Sequence, residues 1–128
     1  MDTTAPTKLL VICTANRLRS KTMEAMLRQT PGFEVRSAGT HPALHGRPIM
    51  RKDINWCDRL VIFEAFHLQE LLRRFPALAR KKPILNFDIP DEYPAYDPTL
   101  IAFLKARFAL YFDTPLEDPV RPENWWNL

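Results

Sequence analysis

The sequence predicts an α/β fold, a three-layer sandwich with a four-stranded parallel sheet and helices on both faces. Three observations lead there. Four short segments, at residues 8–13, 33–37, 59–63 and 83–87, have the length and residue content of strands. Segments with apolar residues at helical spacing separate them, and strands alternating with helices give a parallel sheet covered on both sides. The chain has 128 residues, enough for one hydrophobic core and too few for two ordinary domains. Residues 1–128 are therefore expected to form a single domain, with a flexible start over 1–7 and a Pro- and Trp-containing tail over 113–128.

Taken in order, residues 8–13 (KLLVIC) are an unbroken apolar run and read as a buried strand. Residues 20–29 read as a helix: Met23, Met26 and Leu27 share one face, Ser20 is a cap or first-turn residue, and Pro31-Gly32 stops it. Residues 33–37 alternate weakly and run into a loop carrying His41, Pro42 and Gly46. A short helix over 48–57 precedes the apolar strand RLVIF at 59–63. Leu68, Leu71, Leu72 and Phe75 then mark a helix over 65–75, stopped by Pro76. The fourth strand follows at 83–87. Residues 88–98 (DIPDEYPAYDP) carry too many prolines for regular structure, and a helical pattern resumes over 99–112.

Composition narrows the function. A net charge of +3 and a sequence pI near 9.1 suit anionic ligands but fall short of a nucleic-acid-binding surface. No apolar run approaches the ~20 residues of a membrane helix, and MDTTAPT at the start lacks the pattern of a signal peptide, so a cytoplasmic protein without membrane partners is expected. The two cysteines, Cys13 and Cys57, do not make a disulfide framework. His41, His45 and His67 lie far from both, so neither metal nor cofactor is expected. A monomer or weak dimer is the expected assembly.

The chemistry concentrates at Cys13-Thr14-Ala15-Asn16-Arg17-Leu18-Arg19-Ser20, a C-x5-R-S pattern between the first strand and the first helix. A backbone curling there can turn the amides of Thr14 to Ser20 inward, a nest for phosphate oxygens at the positive end of a helix dipole. Arg19 can add two parallel charge-assisted hydrogen bonds that a lysine cannot reproduce. Amides, dipole, arginine and the Ser20 hydroxyl together favour a thiolate at Cys13, which can attack phosphorus and carry a phosphocysteine intermediate. Asn16 suits a left-handed position and can brace the loop. A general acid is also needed for a poor leaving group, and Asp88, Asp91 and Asp97 all stand in the Pro-broken segment, where spacing cannot choose among them.

LLVICTANRLRSKTMEAML resembles the signature of low-molecular-weight protein-tyrosine phosphatases, an apolar strand followed by C-T-G-N-x-C-R-S-P and an E-A helix. RSAGT at 36–40, LVIFEAFHLQELL and IPDEY at 89–93 resemble later blocks of the family, so the likeness spans most of residues 8–112. It looks closest to a bacterial branch with N-R-L-R-S in the loop. The resemblance implies Cys13 as nucleophile, Arg19 as phosphate ligand, Asp91 as general acid, and Asn16, Ser20 and Ser37 as a supporting hydrogen-bond network. The substrate implied is a phosphorylated protein, phosphotyrosine above all, or a small phosphomonoester.

There are departures. Ala15 stands where the family has Gly, which predicts an altered or strained loop. Lys21 replaces a Pro, Arg17 adds a cation at the mouth, Leu18 replaces a neighbouring cysteine, and Glu92 replaces the Pro after the acid. Two other functions fit the same pattern: a non-catalytic phosphate-binding module, and a thiol-dependent arsenate reductase needing further thiols where only Cys57 exists. Cys57 reads as a structural residue, Tyr93 and Tyr96 as packing residues that can line a cleft, and the three histidines as surface or loop residues. Trp125 and Trp126 are expected to pack on the body.

Overall fold

The structure, a computed structural model, describes residues 5–123. Trp125 and Trp126 lie outside the described residues.

The chain begins with β1 (Thr7–Cys13), whose residues Leu9 to Ile12 are wholly buried. An apolar run this complete requires cover on both faces, and it forms the inside of the sheet. Then come α1 (Arg19–Leu27), β2 (Phe33–Gly39), α2 (Arg51–Trp56), β3 (Arg59–Ile62), α3 (Ala65–Arg74), α4 (Pro76–Ala79), β4 (Ile84–Asn86) and α5 (Pro98–Phe108). The sheet has four strands in the order β2-β1-β3-β4, all parallel.

Side chains alternate across β1 and feed two cores. Leu9, Val11 and Cys13 join Met23, Met26 and Leu27 of α1 and Leu100, Leu104 and Phe108 of α5 on one face. Leu10 and Ile12 join Ile54, Leu71 and Ala79 on the other, with Cys57. Cys13 and Cys57 therefore belong to opposite sides of the sheet.

Most element boundaries differ from the sequence reading by one to four residues, and three of the differences have a clear physical reason or a bearing on the site. Pro76, expected only to stop a helix, opens the one-turn α4, because a proline at the first helical position loses no hydrogen bond. The helical pattern of 99–112 ends early: α5 stops at Phe108, and Tyr111 and Phe112 turn back to rings of the core, Tyr111 stacking on Phe87 at 5.9 Å and Phe112 on Phe108 at 4.5 Å. β2 runs on to Gly39, where it pairs with Cys13 in register. Part of the supposed tail is structure: Leu116 is buried in the α5 core and the Glu117 amide donates to Thr30 Oγ1 at 3.0 Å.

Candidate active site

The loop between β1 and α1 lies at the carboxyl end of the central strand, where open parallel sheets place their ligands. Its first three carbonyls face outward: those of Cys13, Thr14 and Ala15 accept from the amides of Thr40, His41 and Ala43 at 3.0, 2.8 and 3.0 Å. Peptide groups oriented this way turn their N–H sides toward the inside of the loop. Asn16 takes the left-handed conformation at φ 53°. Ala15 does not have positive φ, so the strain expected from alanine in place of glycine is absent. Glycine is needed opposite instead: a Cβ on Gly39 would come within 2.6 Å of Thr14 O and 2.8 Å of Asn16 N.

Helix α1 starts without a side-chain cap, which leaves its first amides to the loop. Ser20 is not the cap; its hydroxyl lies 2.9 Å from Cys13 Sγ. Asn16 Nδ2 donates to the same oxygen at 2.9 Å, and Asn16 Oδ1 accepts from the Arg47 amide at 2.8 Å. With Asn16 donating to it, the Ser20 oxygen has its own hydrogen to offer the sulfur. The brace continues outward, because Arg47 and Arg36 both pair with the buried Asp53, at 3.3 and 3.1 Å. Ser37 is not part of it. Its Oγ is buried with no hydrogen-bond partner, because parallel pairing sets Ser37 beside Val11, two residues short of Cys13.

Arg19 is 1% exposed, extreme for a cation, and one of its N–H groups is left without a hydrogen bond. Nη1 donates to Glu64 Oε2 at 3.0 Å and to Ile89 O at 2.8 Å, and Nη2 lies 3.4 Å from Thr14 Oγ1. Nε has no hydrogen-bond partner; the nearest acid to it is Asp91, with Oδ1 3.8 Å away. A buried guanidinium with an unused N–H edge suits an oxyanion that would complete it.

Of the three candidate acids, Asp91 alone is placed at Arg19, and its side chain is about half exposed (48%). Asp97 caps α5, accepting from the amides of Thr99 and Leu100 at 2.9 and 3.3 Å, rather than standing as a solvated loop carboxylate. Asp88 sits at a left-handed turn held by its amide on Asn86 Oδ1. Tyr93 packs on Phe103 at 5.7 Å, and Tyr96 is buried at φ 63° with its amide on Thr22 Oγ1. Beside the loop runs a groove of about 390 Å³ lined by Arg17, Lys21, Leu44, His45 and Tyr96. Lys21 is paired with Glu24 at 3.4 Å, which tempers its charge. A cavity of about 430 Å³ between α5 and residues 118–121 contains no residue of the loop.

Two residues of the site escaped the sequence reading. Glu64 caps α3 and holds Arg19; His67, expected at the surface, is fully buried behind the loop. His67 Nδ1 accepts from the amides of Phe63 and Glu64, both at 3.2 Å, and Nε2 lies 3.0 Å from Thr14 Oγ1. Burial, then the Arg19 charge, push its imidazole down to a pKa of about 4. Glu64 at the N-cap of α3 and His67 at its third position form a reciprocal capping pair, but these residue types fall outside the usual Ser/Thr-x-x-Glu capping signal. Cys57 points away from all this, with Sγ on Ile54 O at 3.3 Å and burial raising its thiol to about 11. Among the described residues no group of three or more His, Cys, Asp or Glu could hold a metal ion. No helix there is long and apolar enough to cross a membrane.

No protein-family model and no curated protein matches the sequence. Solved structures do. The tyrosine phosphatase Wzb from Escherichia coli, in complex with phosphate, is 25% identical with a TM-score of 0.66, over 81% of this chain and 94% of that one. The YwlE arginine phosphatase from Geobacillus stearothermophilus is 25% identical with a TM-score of 0.59, over 82% and 86%. A low-molecular-weight phosphotyrosine phosphatase from Vibrio cholerae is 22% identical with a TM-score of 0.60, over 80% and 88%, a likeness of fold. By its sheet, by the loop that leaves β1 and by these likenesses, the chain is similar to the low-molecular-weight phosphotyrosine phosphatases and shares their fold.

Proposed function

We propose that this protein is a phosphatase that hydrolyses phosphomonoesters, with protein phosphotyrosine as substrate, through a phosphocysteine intermediate. The observation that carries this is the edge of Arg19: a buried Nε with no hydrogen-bond partner, Asp91 beside it, in the loop that begins at Cys13. The phosphate oxygens would take the amides of residues 14–20 and the Nε edge of Arg19. The Cys13 thiolate attacks phosphorus, the ester P–O bond breaks, and the departing phenoxide takes the proton of Asp91. Water then attacks the phosphocysteine, losing its proton to Asp91, and the P–S bond breaks to return the thiolate and release inorganic phosphate.

An arsenate-reducing relay finds no support, since Cys57 is buried on the other face of the sheet. The test is turnover of p-nitrophenyl phosphate and of phosphotyrosine peptides, with a phosphoarginine peptide alongside, by wild type and Cys13→Ser. We expect turnover by wild type and none by the variant. Oxyanion binding without turnover by the wild type would instead make the protein a phosphate-binding module.

A further inference from the structure

We infer that the Thr14 hydroxyl is a hydrogen-bond donor to the oxyanion held in the loop, and that His67 is the positioning residue that fixes it in that role. The argument is one of proton direction. His67 Nδ1 faces two main-chain amides, those of Phe63 and Glu64 at 3.2 Å. Two N–H donors require a lone pair, so the hydrogen of a neutral imidazole sits on Nε2. Nε2 lies 3.0 Å from Thr14 Oγ1 and therefore donates to it.

Arg19 Nη2, which can only donate, approaches the same oxygen at 3.4 Å. Both lone pairs of the hydroxyl are then occupied by donors. Its hydrogen has to point elsewhere, and neither neighbour can receive it. Thr14 directly follows Cys13, is only partly buried, and shares Arg19 with any anion the loop holds. Such an anion is the acceptor the hydroxyl lacks. Glu64 strengthens the arrangement from behind: its Oε2 lies 3.8 Å from His67 Nε2 and 3.0 Å from Arg19 Nη1. Threonine and histidine, 53 positions apart, thus act as one unit.

For turnover this rests on the phosphatase reading; for anion binding it does not, so inorganic phosphate is the first probe. His67→Asn keeps an acceptor near Nδ1 for the two amides and removes the donor at Nε2. Its affinity for phosphate, measured by calorimetry, should weaken roughly two- to tenfold, the worth of one hydrogen bond. Thr14→Val should lose the same factor, Thr14→Ser should lose little, and the double variant His67→Asn/Thr14→Val should be no worse than either single one. His67→Gln, which can place an N–H near the lost one, should recover part of the affinity. kcat/KM for p-nitrophenyl phosphate should follow the same ranking.

Unaltered phosphate affinity in a folded His67→Asn, or losses that multiply in the double variant, would overturn the inference. If His67→Asn does not fold, Thr14→Val against Thr14→Ser decides, and equal affinities would overturn it. A wild type that binds phosphate but turns over no ester would contradict the proposed function and leave this inference to the binding series.

Discussion

Cys13, Ser20 and Asn16 form a chain of hydrogen bonds 2.9 Å long at each step, and each was legible in the sequence because the chemistry is local. A thiol, a hydroxyl and a left-handed asparagine within eight consecutive residues can only meet in one loop. Glu64 and His67 were not legible, because a helix cap and a loose histidine give no sign of what they hold: Arg19, 45 positions from Glu64, and Thr14, 53 positions from His67. Ser37 was misread for the converse reason: a local resemblance placed it in a network that strand register denies it. Asp91 stood out as the candidate acid only through the resemblance. General acid catalysis contributes about 10²–10⁴-fold, so Asp91→Asn should lower kcat by that order for phenyl phosphate and by less for p-nitrophenyl phosphate, whose leaving group needs no proton. Steady-state assays with both esters check this; the same leaving-group dependence in Asp88→Asn or Asp97→Asn would move the role. His67 supplies a second check, because burial holds its pKa at about 4 against 6.5 when unfolded. Its ring signals in an NMR titration should show no protonation above pH 5. The unfolded chain takes this proton more readily, so the stability that His67 contributes is complete above about 6.5 and falls away as pH drops toward about 4.

Elements were read better than their ends. The first and third strands followed from apolar runs and the second from weak alternation, whereas α4 and the early stop of α5 depended on tertiary packing. Proline at the start of a helix and proline after one look alike in a sequence, and Tyr111 and Phe112 fit the helical period although their rings serve the core outside a helix. The end of β2 matters most for function. Gly39 pairs with Cys13, and the β1–α1 loop is laid directly over it. Gly39→Ala would put a methyl carbon 2.6 Å from Thr14 O and 2.8 Å from Asn16 N, both main-chain atoms that cannot rotate away. The loop has to shift, and misplacement of about 1 Å at a reacting centre can cost ~10²-fold. Gly39→Ala should therefore lose kcat/KM heavily while keeping a cooperative thermal transition, checked by kinetics beside calorimetry. Gly32→Ala makes a useful control: nothing lies within 4 Å of its added Cβ, although its φ of 88° adds strain far from the site, so its effect should fall on stability.

At the scale of the molecule, the parallel sheet delivers the parts of the site to one end. β1 ends at Cys13, β3 leads to Glu64 and His67, and the chain beyond β4 brings Ile89 and Asp91 to Arg19. The helices on both faces bury the sheet and leave that end open. The claim that unites these features is that Cys13 becomes covalently phosphorylated during turnover. Acid quenching of a reaction with radiolabelled phosphotyrosine peptide, followed by mapping of the label on the protein, tests it most directly. Label on Cys13 in the wild type, released as inorganic phosphate when turnover continues and absent from Cys13→Ser, is the predicted result. Full turnover with no label on the protein, or undiminished turnover by Cys13→Ser, would contradict it.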